Sequence, residues 1–394
     1  MRAVTWQGVG DVRVEEVPDP KLLEPNDAVI RVTSTAICGS DLHLYGPLGV
    51  FMEPGDILGH EAMGVVEEVG PEVGDLRVGD RVVVPFNISC GGCHTCSRSL
   101  YSQCETTQVR QHGKGGALFG YTKLYGQVPG GQAEYLRVPQ AQFGPVKVPE
   151  GADDERFLFL SDVLPTAWQA VEYAGLRPGG SVAVLGLGPI GQLCARIARH
   201  RGAERVFGVD REEARLRMAA RYGVETVDFS TVEDVAGYVV DRTEGRGPDA
   251  VIDAVGLEAH GDPFTERLQR AAGVLPGRLG ERTAEQFGVD RLAALHTAIA
   301  MVRRGGTVSV TGVYGGRLYP LPMIDLFDKG LTLRMGQANV RAWTDLLLPL
   351  VAADNDPLGV LDLATHRLPL ADAALGYQIF QAKRDGAGKV VLAP

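Results

Sequence analysis

No uncharged apolar run in the sequence reaches the roughly 18 to 20 residues that a membrane-spanning helix needs. Blocks of like charge, low-complexity tracts and internal repeats are also missing, which argues against charged interaction tails and repeat solenoids. Basic residues are in deficit, 39 against 49 acidic, and the resulting net charge of −10 sets up a field that repels nucleic acid and anionic membranes. Neither is expected as a partner. The opening stretch, MRAVTWQGVGDVRVEEV, alternates like a strand and carries charge throughout, so it lacks the apolar centre of a signal peptide. A cytoplasmic chain with reduced thiols is the expectation. Cysteine is scarce, six in all, yet four of the six fall between positions 90 and 104.

What is present suits a chain of two domains, since 394 residues exceed the usual size of one. The first 163 residues are rich in Gly, Pro and short β-branched runs such as DAVIRVTST, AMGVVEEVG, DRVVVPF and QAEYLRVP. Each run is bounded by turn residues, which predicts a mainly-β domain. From 164 to 337 the rhythm becomes strand, glycine turn, helix, strand, helix, with almost continuously apolar strands. That alternation predicts an α/β domain with a doubly wound parallel sheet covered on both faces. DAVIDAVG, GTVSVTGVY and LTLRMG read as its later strands, and the run near 307–314 as an edge that could extend across a twofold axis. Residues 257–292 are too long for an ordinary loop and read as an insertion. The tail, 338–394, is expected to return to the first domain.

CGGCHTCSRSLYSQC places Cys90, Cys93, Cys96 and Cys104 at C-x2-C-x2-C-x7-C, in a lobe of about 88–106. Tetrahedral zinc takes four soft donors, and closely spaced cysteines in a loop supply them. Disulfides or free thiols are the alternatives; reducing conditions favour zinc. With four protein ligands no position is left for substrate, so this metal would stabilise the lobe.

SVAVLGLGPIG carries G-x-G-x-x-G at Gly186, Gly188 and Gly191, with Pro189 and Ile190 opening the following helix. The first glycine permits the turn, the second lets a pyrophosphate approach the backbone, and the third lets helix pack on strand. Phosphates would meet the unpaired N–H groups of the helix N-terminus. Asp210 follows 19 positions after Gly191, where a carboxylate takes both ribose hydroxyls and repels a 2′-phosphate, favouring NAD over NADP. The adjacent Arg211 softens that preference.

Cys38, Ser40 and His43 lie in AICGSDLHLYG, His60 and Glu61 in GDILGHEAMG, and Asp162 in FLSDVLPT. Taken singly, each has an ordinary reading: a buried thiol, a core histidine, a helix cap. Together, CGSDLH, GHEAMGVVEEVG, the four-cysteine lobe, GGQAEYLRVP and GLGPIG…VD resemble the zinc-dependent medium-chain alcohol dehydrogenase family over nearly the whole chain. Within it the likeness is greatest to the glutathione-independent formaldehyde dehydrogenase and dismutase group, on VPFNISCGGC and on the aspartate in LSDVLPT.

The resemblance implies a GroES-like catalytic domain and a Rossmann cofactor domain. It implies two zinc ions per chain and NAD, the catalytic ion being held by Cys38, His60 and Asp162. Glu61 would lie close behind as a nearby or transient ligand. Ser40 and His43 would start and end a proton relay, Phe86 would line the substrate pocket, and Thr166 would lie near the nicotinamide. The long insertion resembles the extra loop that covers the cofactor's adenosine end in the formaldehyde group, and by length alone it suits a lid, an interface or extra cofactor contacts. The implied reaction is hydride transfer between NAD and a small alcohol or aldehyde hydrate; a polyol or secondary alcohol is the alternative substrate. A catalytically silent NAD-binding regulator is the alternative of another class. Dimers or tetramers are expected. Cys194 reads as core, and His94, His112, His200, His260, His296 and His366 as surface or structural residues.

Overall fold

A computed structural model describes residues 1–151, 153–256, 292–314 and 321–394. Positions 257–291 of the expected insertion, and His260 with them, lie outside the described residues. The chain divides into two units, Met1–Pro165 with Ala338–Pro394, and Thr166–Gln337.

The first unit begins with β1 (Arg2–Gly8) and β2 (Asp11–Glu16), an antiparallel hairpin. Gly10 turns it at φ +77°, a conformation that costs a residue with a Cβ. β3 (Ala28–Ile37) is the spine of the main sheet and pairs antiparallel with β4 (Glu61–Val69) and β6 (Tyr135–Val138). β4 continues to β5 (Arg81–Val84), and β5 to β7 (Val146–Lys147).

The second unit contains β8 (Ser181–Leu185), β9 (Arg205–Asp210), β10 (Glu225–Asp228), β11 (Ala250–Asp253), β12 (Thr307–Val310) and β13 (Thr332–Met335). Among the described residues these make a six-stranded sheet in the order β10-β9-β8-β11-β12-β13, parallel at every pairing. The order reverses between β8 and β11, and a doubly wound sheet binds ligands outside the carboxyl ends of its strands at that point. Ala183, Leu185, Phe207, Val251, Ile299 and Val308 belong to the buried core on this sheet. The run at 307–314 is not an edge: β12 pairs on both sides, and β13 lies at the border of the sheet. An apolar run reads alike in either place, and order in the sheet is decided by partners far away in sequence.

After the second unit the chain returns to the first. β14 (Ala364–Pro369) pairs parallel with β15 (Lys389–Ala393), and β15 lies antiparallel on β3, with Val390 opposite Ile37. That register brings Lys389 to the end of β3 where Cys38 begins the next segment. No described helix is long and apolar enough to cross a membrane.

Candidate metal and cofactor sites

Cys38 follows the last residue of β3 and caps the helix Gly39–Tyr45. Its backbone N–H donates to Asp41 Oδ2 at 2.9 Å, a local bond that fixes the turn. His60 and Glu61 straddle the start of β4, and pairing of Ala36 with Glu61 carries them beside Cys38. Asp162 stands just before the helix Val163–Ala174. One ligand atom from each of Cys38, His60, Glu61 and Asp162 lies within 4.8 Å of every other, and all four residues are buried. Cys38 Sγ lies 3.3 Å from Asp162 Oδ2, and His60 Nε2 is 3.3 Å from the same oxygen and 3.3 Å from Ser40 Oγ. His60 Nδ1 lies 3.1 Å from Asp41 Oδ1. Asp41 also accepts from Gln132 Nε2, and Gln132 Oε1 accepts from the Tyr377 hydroxyl. His60 therefore has one nitrogen turned to a supporting carboxylate and the other into the cluster.

The electrostatics of this cluster suit a cation. Burial pushes the Cys38 thiol up to about 11, against the pull of Lys389, while Asp162 and Glu61 push it further. Burial opposes a charge on His60, but Asp41, Cys38 and Asp162 outweigh it and raise the imidazole well above its ordinary value. Glu61 Oε1 pairs with Lys389 Nζ, both side chains being fully buried, and Glu61 Oε2 is buried with no hydrogen-bond partner. Fully ionised, Cys38, Glu61 and Asp162 bring three negative charges against one positive from Lys389, an excess that suits a bound cation. The mixed sulfur, nitrogen and oxygen donors fit zinc.

The second cluster is Cys90, Cys93, Cys96 and Cys104, whose sulfurs lie within 4.8 Å of one another. None forms a disulfide. Backbone N–H groups of Cys93 and Glu105 point at the sulfurs of Cys90 and Cys93, at 3.4 and 3.3 Å. Burial works against a Cys93 thiolate, yet the Thr95 hydroxyl and the N–H groups of Cys96 and Glu105 bring it down to about 5. Four thiols with N–H donors aimed at them suit a closed tetrahedral zinc site.

In the second unit Gly186 turns at φ +82°, and a Cβ on Gly191 would lie 1.8 Å from Gly186 O. A Cβ on Gly188 would meet nothing nearer than Arg215 Nη1 at 3.9 Å. The turn is thus packed shut at Gly191 and open at Gly188, as a backbone that receives a phosphate group must be. Pro189 and Ile190 start the helix Pro189–His200. Asp210 ends β9 and accepts from the backbone N–H groups of Leu187, Arg211 and Glu212 at 2.7, 2.7 and 2.9 Å. Arg215 lies 3.7 Å from its Oδ2, while Arg211 is near Glu212 at 3.4 Å.

The Phe86 ring centroid is 5.8 Å from that of His60. His43 is buried on the helix of Ser40, and Thr166 lies on the helix that follows Asp162. Cys194 is buried in the helix Pro189–His200, with its thiol directed at Ala167 O. His94, His112, His200 and His296 are exposed and His366 is half-buried. Five residues of these sites, Asp41, Gln132, Tyr377, Lys389 and Arg215, have no role assigned from the sequence. Asp41 sits inside CGSDLH, where helix-capping chemistry is the available signal, and Gln132 inside GGQAEYLRVP. Tyr377, Lys389 and Arg215 lie in none of the quoted motifs, and the partners of Tyr377 and Lys389 are remote in the chain.

Residues 24–150 match the alcohol dehydrogenase GroES-like domain, and residues 189–271 match the zinc-binding dehydrogenase family. An uncharacterised zinc-type alcohol dehydrogenase-like protein of Bacillus subtilis is 42% identical, with 100% of both chains covered. Glutathione-independent formaldehyde dehydrogenase of Pseudomonas aeruginosa is 32% identical over 97% of this chain and 95% of its own. The solved structure of alcohol dehydrogenase TADH from Thermus sp. ATN1 superposes with a TM-score of 0.83 at 37% identity, covering 100% of this chain and 99% of its own. The chain belongs to the zinc-type, medium-chain alcohol dehydrogenase family and is an oxidoreductase with a GroES-like domain and a Rossmann domain.

Proposed function

We propose that the protein is a zinc-dependent dehydrogenase that transfers hydride between NAD and a small alcohol or an aldehyde hydrate. The observation that carries this reading is the buried convergence of Cys38, His60, Glu61 and Asp162. Cys38, His60 and Asp162 would hold the catalytic ion and leave a position for substrate, with Glu61 close behind as a nearby or transient ligand, and Cys90, Cys93, Cys96 and Cys104 would hold a structural one. When bound, zinc supplies Lewis acidity and the nicotinamide supplies the hydride acceptor.

The chain's own residues do the rest. Ser40, whose hydroxyl is already at the cluster, takes the substrate proton, and His43 on the same helix receives it. Phe86 stands against His60 and keeps water from the reacting atoms. Lys389 balances the carboxylate and thiolate charge. Asp210 takes the adenosine ribose hydroxyls, with Gly186, Gly188, Pro189, Ile190 and Gly191 cradling the pyrophosphate. Arg211 would lie beside the ribose and Thr166 near the nicotinamide.

The formaldehyde-like substrate class rests on the resemblance to the Pseudomonas aeruginosa enzyme. The protein is read as cytoplasmic and as a dimer or tetramer. The oligomer is supported by β13, whose residues are exposed at the border of the sheet, and by exposed Met323, Ile324 and Phe327 on the helix Met323–Lys329. The experiment is a substrate panel of formaldehyde, short alcohols and polyols with NAD and with NADP, followed by absorbance of the reduced cofactor. Turnover of small substrates with NAD, abolished by metal removal and restored by zinc, is expected. No turnover of any member by zinc-loaded protein would refute the reading and favour the silent regulator.

A further inference from the structure

Beside the metal cluster the first unit builds an aromatic wall. Tyr121 stands at right angles to the His60 imidazole, with centroids 6.5 Å apart and planes at 87°. Tyr125 extends the wall, 5.7 Å from Tyr121. Phe86, Leu118 and Val340 complete an apolar cluster against which both tyrosines pack. The Tyr121 hydroxyl lies within electrostatic reach of Cys38, Asp41 and His60. It makes no hydrogen bond to any described residue. Around His60, Ser40 Oγ and Asp162 Oδ2 lie 3.3 Å from its Nε2 and Asp41 Oδ1 lies 3.1 Å from its Nδ1. A phenol with an ordinary pKa of about 10 is a proton donor and acceptor at neutral pH. Set in an apolar wall, such a group is left for water or for substrate, and a substrate that leaves it unmatched loses the bond.

We propose that Tyr121 is a specificity-determining residue whose hydroxyl bonds a second oxygen of the substrate, so that the favoured substrates carry two hydroxyls on one carbon or on adjacent carbons. The proposal rests on the dehydrogenase reading above and narrows its substrate class to aldehyde hydrates and small vicinal diols. The first hydroxyl meets the cluster and the second meets Tyr121.

The test compares 1,2-propanediol with 1-propanol, molecules of matched chain length that differ by one hydroxyl. With the zinc-loaded wild type and NAD, kcat/KM is measured for each, then repeated with Tyr121→Phe, which removes only the hydroxyl and keeps the ring. One ordinary hydrogen bond corresponds to about a 3- to 10-fold change. The expected result is a loss of that size for the diol with 1-propanol unchanged. Calorimetric binding of 1,2-propanediol to zinc-loaded protein without cofactor should weaken by the same factor. An unchanged diol-to-alcohol ratio, or an equal loss for both, would overturn the proposal while leaving the dehydrogenase reading intact. Failure of the wild type on both alcohols and on hydrated formaldehyde would remove both.

Discussion

Lys389 Nζ is paired with Glu61 Oε1, and neither side chain has any exposed surface. The two lie 328 positions apart and meet because β15 is laid against β3 while β3 pairs with β4. A buried pair of this kind is costly to form and more costly to break on one side, because the remaining charge is stranded away from water. Lys389→Met is therefore expected to destabilise the protein by about 3–5 kcal/mol. The double variant Lys389→Met, Glu61→Gln should recover much of that loss. Denaturant unfolding of the wild type, both single variants and the double variant checks the coupling. Additive single effects would show that the pair is not a unit.

The two metal clusters are expected to be separable. Asp162→Ala should reduce zinc from two ions per chain to one and abolish activity, leaving the cysteine lobe loaded. Cys104→Ser should also remove one zinc, but its main effect should be a melting temperature lower by several degrees, since a closed site contributes folding energy. Elemental analysis and thermal melting of both proteins distinguish the cases. An active Asp162→Ala enzyme would contradict the ligand assignment.

The glycine turn yields a paired prediction. A methyl on Gly191 collides with Gly186 O, so Gly191→Ala should cost stability, by about 1–3 kcal/mol, through overpacking. Gly188→Ala meets no protein atom within ordinary contact distance apart from the tip of Arg215, so stability should hardly change. Its methyl would point where a pyrophosphate approaches, and NAD binding should weaken instead. Unfolding curves and a cofactor titration report the two effects separately. Equal NAD affinity in wild type and Gly188→Ala would place the dinucleotide elsewhere.

Asp210→Asn keeps the shape of the side chain and removes its charge. Charged hydrogen bonds of the kind proposed to ribose are worth about 1.5–3 kcal/mol, so kcat/KM for NAD should fall about 10- to 100-fold. NADP should gain relative to NAD, helped by Arg211 and Arg215. The ratio of specificity constants for the two cofactors is the measurement. A wild type that already prefers NADP would contradict the ribose assignment.

What can be read from the sequence follows the distance over which each feature is specified. The cysteine lobe is contained between positions 90 and 104, and the glycine turn between 186 and 191, so their spacing alone announces them. The change from short turn-bounded strands to strand–helix alternation likewise marks the two kinds of sheet. Cys38 and Asp162 are separated by 124 positions and His60 and Asp162 by 102, and only resemblance to a family implies their partnership. Lys389 opens an apolar strand, KVVLA, where a lysine reads as a solvated end. Its burial depends on β15 meeting β3, which no local pattern encodes. The same holds for β12: its run is apolar enough for a strand, but only β13 decides that it is internal. Tyr121 lies in FGYTKLYG, an irregular stretch whose periodicity carries no facing information.

Central to the proposed chemistry is a metal ion held by Cys38, His60 and Asp162. Diffraction from crystals of the purified protein, recorded on both sides of the zinc absorption edge, tests it directly. Two anomalous peaks per chain are expected, one among the four lobe cysteines and one bounded by Cys38, His60 and Asp162 at about 2.0–2.3 Å from their donor atoms. A catalytically active preparation with a peak only in the cysteine lobe would contradict it.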